Sequence, residues 1–167
     1  MVVLRLVHIF AGIAWVGAGF FMMLVLIPLV QQMGAEGGRF MQSFTAKSRF
    51  GKVMLVSSLL TTLSGLWLYY RVSDHFNSDW MSASAGVVLS IGSVAGILAF
   101  GHGAAQTGPG FDKMGSLARQ IEAQGGTPTE AQVAEMGALG ERNALHGRIS
   151  ILLEIIAVGG MAAARFV

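Results

Sequence analysis

The stretch LRLVHIFAGIAWVGAGFFMMLVLIP, residues 4–28, is almost wholly apolar, yet it contains a histidine and a tryptophan. No charged residue occurs between Arg5 and Glu36, and an α-helix needs about 20 mainly apolar residues to cross a bilayer. The apolar core of a cleaved signal peptide is about 7–15 residues long, so this segment is too long for one. The stretch therefore predicts a membrane-spanning helix.

The composition of the whole chain also favours a membrane protein. Of its 167 residues, 53% are hydrophobic and 12% are charged, against roughly 25% charged in soluble proteins, and the mean hydropathy is +0.62. So few charges do not cover the surface of a soluble domain, and the apolar content excludes disorder. The chain has no cysteine, which excludes disulfides, thiolate metal sites and iron–sulfur clusters. A net charge of +2 gives no sign of a nucleic-acid partner.

Four long apolar segments occur in the chain, which we predict to be a single transmembrane domain. The predicted spans are residues 4–30, 50–71, 84–106 and 144–166. Four helices joined by short or moderate links are typical of an up-down-up-down bundle. The predicted fold class is therefore all-α, an integral membrane four-helix bundle over residues 1–167.

The link at residues 108–143, between the third and fourth spans, is the only sizeable polar segment of the sequence. Apolar residues recur in it at helical spacing, namely at Phe111, Met114, Leu117 and Ile121. Gly125 and Gly126 break this helix. Thr127 and Glu130 then have the spacing of an N-cap and its capping-box partner. We therefore predict a helical hairpin that rests on the cytoplasmic face.

The lysines and arginines indicate the orientation, since cytoplasmic loops of membrane proteins carry an excess of them. The links after the first and third spans hold eight of the eleven, and the opposite side holds three. We therefore predict that both of those links face the cytoplasm and that both termini face outward. The predicted location is a bacterial inner membrane, which the chain crosses four times.

One face of the first span carries the residues that suit a cofactor, because steps of four, three and four bring them into line. They are His8, Gly12, Trp15 and Gly19. Such a face suits a haem, with the imidazole as axial ligand, glycine where the ring approaches and tryptophan at its edge. The alternative is an interfacial His8 that is hydrogen-bonded to a backbone carbonyl or to water. Ionisable groups inside spans are functional hypotheses by default.

Two further histidines fall at the inner ends of their spans. Since each residue advances a helix by about 1.5 Å, His102 and His146 should lie at similar depth, at the level that Met22 and Met23 reach. Imidazole and thioether ligate haem iron and also suit copper. We therefore predict His8, His102 and His146 as metal ligands. The alternative for the inner pair is interfacial polar residues.

Glu154 is a carboxylic acid about two turns inside the fourth span, where such a group is costly and is usually paired or protonated. We predict a catalytic role for it, relaying a proton or binding a quinol hydroxyl. The structural alternative is a hydrogen bond to a Ser or Thr side chain of the second span. Arg148 is the predicted partner of cofactor propionates, with a snorkelling topology marker as its alternative. His75, in the short outer loop, is predicted to be exposed to solvent.

The segment LVHIFAGIAWVGAGFFMMLVLIP resembles the opening helix of a loose bacterial group that includes copper-resistance-D-like membrane domains and HemJ-like protoporphyrinogen oxidases. The matching positions are His8, Trp15, Gly17, Gly19 and Pro28. LTTLSGLWLYY in the second span is similar too, so the resemblance covers two of the four helices. It implies that His8 binds haem b. HemJ-like members are also expected to use a lysine in a later helix. No lysine of a later span lies at the depth of His8 in this sequence, so enzymatic activity stays open.

From these residues we predict a haem b-binding membrane protein of electron transfer. It would pass single electrons between a donor such as a quinol and a redox partner protein, with Glu154 handling the coupled proton. A HemJ-like oxidation of a porphyrinogen is the enzymatic form of this hypothesis. The main alternative is copper binding or transport at Met22, Met23, His102 and His146. The third is a cofactor-free scaffold subunit. The lipid bilayer is a partner in every case, and glycine-rich faces would also allow a homodimer.

Overall fold

The computed structural model describes residues 1–167, the side chain of Ala35 excepted, and within them it is all-helical without a strand. We number six helices in this part of the chain, four long and two short. They are α1 Val2–Gln32, α2 Ala35–Lys47, α3 Phe50–Val72, α4 Ser78–Ser82, α5 Ser84–Ala123 and α6 Glu130–Phe166.

Four of these helices, α1, α3, α5 and α6, are long and apolar enough to cross a membrane. The outer faces of these helices expose many large aliphatic and aromatic side chains. Small residues and a few polar groups form much of the buried set, as expected where lipid rather than water covers the outside. The prediction of an all-α chain with four helices able to span a membrane is therefore confirmed.

Both α1 and α5 continue past a proline through a widened turn. The π-helical turns Met22–Leu26 and Gly103–Thr107 each end two residues before a proline, Pro28 in α1 and Pro109 in α5. A proline ring clashes with the carbonyl four residues earlier and has no N–H to donate. A π-helical turn relieves that clash locally. The two helices therefore run beyond the ends that the apolar segments predict.

The first helix packs along α3 and also reaches α6. A Cβ at Gly12 would lie 3.6 Å from the Thr61 methyl, and His8 contacts Gly65, so residue numbers rise along α1 as they fall along α3. Small residues at such contacts let two helix backbones approach closely in lipid. The α1–α3 interface therefore holds His8 against the second apolar helix.

The closest helix pair is α5 with α6. A Cβ added to Gly160 would lie 2.8 Å from the Gly92 Cα, and one added to Gly92 would lie 3.0 Å from the Ala157 carbonyl oxygen. His102 contacts Ser150 farther along the same pair, so these helices also run in opposite directions. Glycine is required at Gly160, because the atoms in its way are backbone atoms that cannot move aside.

The polar link is built from the second half of α5 and the first half of α6, with α2 beside them. The apolar face predicted here is confirmed in a helix, since Met114, Leu117 and Ile121 are buried. α5 packs against α2, where the Lys47 Nζ lies 2.8 Å from a Glu122 carboxylate oxygen. The link is thus a helical extension of two spanning helices.

The turn between α5 and α6 contains the two glycines that the sequence marks as helix breakers. Gly125 and Gly126 have φ values of +106° and +82°, which favour glycine. The N-cap of α6 is Thr129, whose hydroxyl accepts from the Gln132 N–H while the Gln132 side chain accepts from the Thr129 N–H. The predicted cap at Thr127 is therefore wrong by two residues. A glutamine rather than a glutamate completes the capping box.

Candidate functional site

His8 lies in the interface between α1 and α3. Its Nδ1 is 2.9 Å from the Thr61 carbonyl oxygen and 3.3 Å from the Ser64 Oγ. Because a carbonyl oxygen only accepts, the neutral ring donates from Nδ1 and carries its lone pair on Nε2. Metal-binding histidines are oriented by such a bond from the other ring nitrogen. The backbone hydrogen bond named as the structural alternative is thus formed, and it leaves a nitrogen ready to act as a ligand.

Gly65 makes room for the imidazole of His8. A Cβ at Gly65 would lie 2.8 Å from the ring Cε1 and 3.1 Å from Nδ1, closer than side chains pack. None of Thr61, Ser64 and Gly65 was predicted to surround His8. The signal was present in their spacing, since steps of three and four put all three on one face of α3.

Trp15 is buried, with 8% of its surface exposed, and reaches across the bundle to α5. Its ring meets the Phe100 ring edge-on, with 6.5 Å between the centroids. Gly12 lies on the same face of α1, against Thr61. The predicted cofactor face therefore points into the protein, although its tryptophan packs on α5 and its histidine on α3.

The structure brings together His102 of α5 and His146 of α6, which we call the inner pair. The His102 Nε2 lies 3.1 Å from the His146 Nδ1, and the His102 Nδ1 lies 3.0 Å from the Ser150 Oγ. Two nitrogens bound to one tetrahedral ion are about 3.4 Å apart at bonds of about 2.0–2.1 Å, and about 4 Å apart on opposite sides of an ion. The spacing of this inner pair is that of a hydrogen bond between the two rings. One tetrahedral ion would need the two nitrogens about 0.3 Å farther apart, and a porphyrin iron between the rings would need them about 1 Å farther apart.

A thioether lies at a level of α6 close to that of the inner pair. The Met23 side chain of α1 packs on Gly147, the residue after His146, and a Cβ there would lie 2.5 Å from the Met23 Sδ. Met22 is also buried, with 4% of its surface exposed. Met22 is the first residue of the π-helical turn of α1 and Met23 is the second. Two helices thus bring imidazole and thioether groups to the same level of α6.

The side chain of Glu154 is buried, with 4% of its surface exposed, and faces α1. A Cβ at Gly19 would lie 3.2 Å from its Oε2, and within the described residues that oxygen has no hydrogen-bond partner. The structural alternative was a hydrogen bond from Glu154 to a Ser or Thr side chain of α3. The described residues form no such bond, and the Ser64 hydroxyl donates to the Leu60 carbonyl instead. A buried carboxyl group without a partner requires an explanation beyond packing.

Arg148 is exposed on α6, next to Gly147. Since Gly147 contacts Met23, which lies fifteen residues beyond His8 on α1, Arg148 is about 22 Å from the level of His8. Arg148 therefore lies near the level of His102 and His146, and its contact with cofactor propionates stays a prediction.

His75 lies in the loop between α3 and α4, where more than half of its side chain is exposed. Its Nδ1 is 3.3 Å from an Asp74 carboxylate oxygen, and its ring packs against Tyr70. Asp74, His75 and Phe76 all have φ between +48° and +65°, so the loop turns through three left-handed residues in succession. The loop position predicted for His75 agrees with the structure.

No group of three or more His, Asp or Glu side chains in the described part of the chain is arranged to hold a metal ion. Comparison of the chain with known protein families, curated proteins and solved structures found no match. The resemblance of α1 to copper-resistance-D-like and HemJ-like helices therefore stays an expectation.

Proposed function

We propose that this chain is a membrane electron-transfer protein that binds haem b through His8. The observation that carries the proposal is the hydrogen bond from the His8 Nδ1 to the Thr61 carbonyl, which fixes the ring and leaves Nε2 for a metal. Gly65 supports it, because its missing side chain is what admits the imidazole. A haem held there would supply one-electron chemistry, and the resemblance of α1 points to the same residue.

The topology that we propose is up-down-up-down, in a bacterial inner membrane. It is supported by the opposite directions in which α1 runs along α3 and α5 runs along α6. The lysines and arginines favour a cytoplasmic position for α2 and for the helical hairpin of α5 and α6. Both termini, and the loop with His75, then face outward.

Glu154 is the residue that we propose to accept a proton when a quinol or similar donor gives up an electron. Its support is burial together with an Oε2 that has no partner in the described chain. A carboxyl group positioned inside a protein is a suitable general base. A HemJ-like porphyrinogen oxidation would use the same two groups, with His8 holding the haem and Glu154 taking the proton.

The absorption spectrum of the purified protein tests the proposal. Protein from haem-supplemented cells should show a Soret band that sharpens on addition of dithionite. His8→Ala should remove the band, whereas the matched control His75→Ala should keep it, since His75 lies in an exposed loop. Colourless, metal-free wild-type protein would support a scaffold subunit instead.

Copper binding is the second candidate function, and the inner pair favours it. The 3.1 Å between the His102 and His146 nitrogens and the thioether of Met23 beside Gly147 combine ligands that suit Cu(I). Colourless protein with one copper per chain, lost in His146→Ala and kept in His8→Ala, would support this function over haem.

A further inference from the structure

A groove of about 600 Å³ on the lipid-facing surface of the bundle is lined by α3 along its length and by α1 at the end near Leu60. Phe10 and Ala11 line one wall, and Val56 and Leu60 line the other. Phe10, Val56 and Leu60 each expose 46% or more of their surface, so the groove opens towards the lipid. An elongated apolar molecule would fit along it.

The length of the groove matches one leaflet of a bilayer. Eleven residues separate Arg49 from Leu60, which corresponds to about 16 Å along a helix. The hydrocarbon core of a bilayer is about 30 Å thick, so one leaflet is about 15 Å. The groove therefore extends from one membrane surface to about the midplane, which is the reach of a single acyl chain.

Two positive charges line the membrane-surface end of the groove, on Arg49 and Lys52. Neither takes part in an ion pair with a described residue, whereas Lys47 nearby pairs with Glu122. Residues 37–73 contain no Asp or Glu, so the sequence around this end supplies no compensating charge. The charge at this end is therefore complementary to an anionic headgroup.

We infer that this groove binds an anionic phospholipid, with its phosphate at Arg49 and Lys52 and an acyl chain along the apolar walls. Clusters of basic residues next to a spanning helix attract anionic headgroups by about 1 kcal/mol for each cation, which is about fivefold in affinity. The inference does not depend on haem, because the groove residues are not those proposed to bind the cofactor.

Native mass spectrometry of the full chain tests this, with titration of dioleoyl phosphatidylglycerol and dioleoyl phosphatidylcholine, which share their acyl chains. The wild type should prefer phosphatidylglycerol by about 25-fold at its first bound lipid, from two cations at about fivefold each. Arg49→Gln with Lys52→Gln should bring that preference close to one. The matched control Arg39→Gln with Arg119→Gln removes the same charge outside the groove and should leave it unchanged.

Ala11→Phe fills the groove with a larger side chain. It should weaken the binding of both lipids and leave the ratio of their affinities unchanged. Equal binding of both lipids by the wild type overturns the inference. So does a control pair that loses the preference for phosphatidylglycerol to the same extent as the Arg49–Lys52 variant. A third result would overturn it too, namely a Soret band lost in the Arg49–Lys52 variant with unchanged lipid binding. That result would assign the two cations to haem propionates.

Discussion

At the scale of single residues, the imidazole of His8 depends on a glycine in another helix. Gly65→Ala would place a methyl group 2.8 Å from the ring Cε1, so the ring would have to leave its hydrogen bond to Thr61. We expect a loss of stability of about 1–3 kcal/mol and a weakened Soret band. Thermal unfolding and absorption spectra measure both. Gly51→Ala, in the same helix with no atom within 4 Å of the new Cβ, is the control.

Glu154→Gln keeps the shape of the side chain but removes its ability to take up a proton. If the residue is the general base, quinol-driven reduction of the bound haem should slow by roughly 10²-fold or more, while the spectrum of the haem stays unchanged. Stopped-flow absorbance measures the rate. A variant that reduces its haem as fast as the wild type would show that Glu154 has a structural role.

The sequence was sufficient to single out His8 and Glu154, because an ionisable group stands out in an apolar segment. It was not sufficient to place Thr61, Ser64 and Gly65 around His8. That contact depends on the register between two helices, which spacing within one helix does not determine.

At the scale of helices, the α5–α6 pair depends on one close approach. Gly160→Ala would place its Cβ 2.8 Å from the Gly92 Cα and 3.0 Å from the Val88 carbonyl oxygen, so the two backbones would have to separate. We expect a clear drop in the unfolding temperature. Gly159→Ala, one residue earlier and with no atom within 4 Å, should leave it nearly unchanged. Similar behaviour of the two variants would contradict this packing.

Helix existence was predictable here, and helix extent was not. Apolar length revealed the four spanning helices, and the spacing of Met114, Leu117 and Ile121 revealed the helix in the link. Apolar length did not predict that α5 would extend over 40 residues and α6 over 37. The third span was predicted to end at residue 106, but a π-helical turn accommodates Pro109 and lets the helix continue.

At the scale of the whole molecule, the proposed topology is open to chemical labelling, since the chain has no cysteine of its own. A single Ser78→Cys variant should react with a membrane-impermeant maleimide in intact cells. Ser48→Cys, on the lysine-rich side, should react only after lysis, because basic links stay in the cytoplasm. Both serines are exposed. The reverse labelling pattern would contradict the proposed orientation and would mean that the protein is inserted the other way round.

The structure separates the candidate groups along the bundle. His8 is held by α3 near one end, the inner pair joins α5 to α6 near the other, and Glu154 lies against Gly19 between them. The sequence predicted this order, because distance along a helix follows directly from residue number. Which helices meet around each group is information that only the packed structure contains.

The two longest helices differ in regularity. α6 is α-helical without interruption from Glu130 to Ala163, whereas α5 contains a π-helical turn at Gly103–Thr107, directly after His102. Helix kinks are often located at such turns, so a change in the direction of α5 would be expected at this position. Because His102 stands at the start of the turn, such a change would alter the 3.1 Å between the His102 and His146 nitrogens.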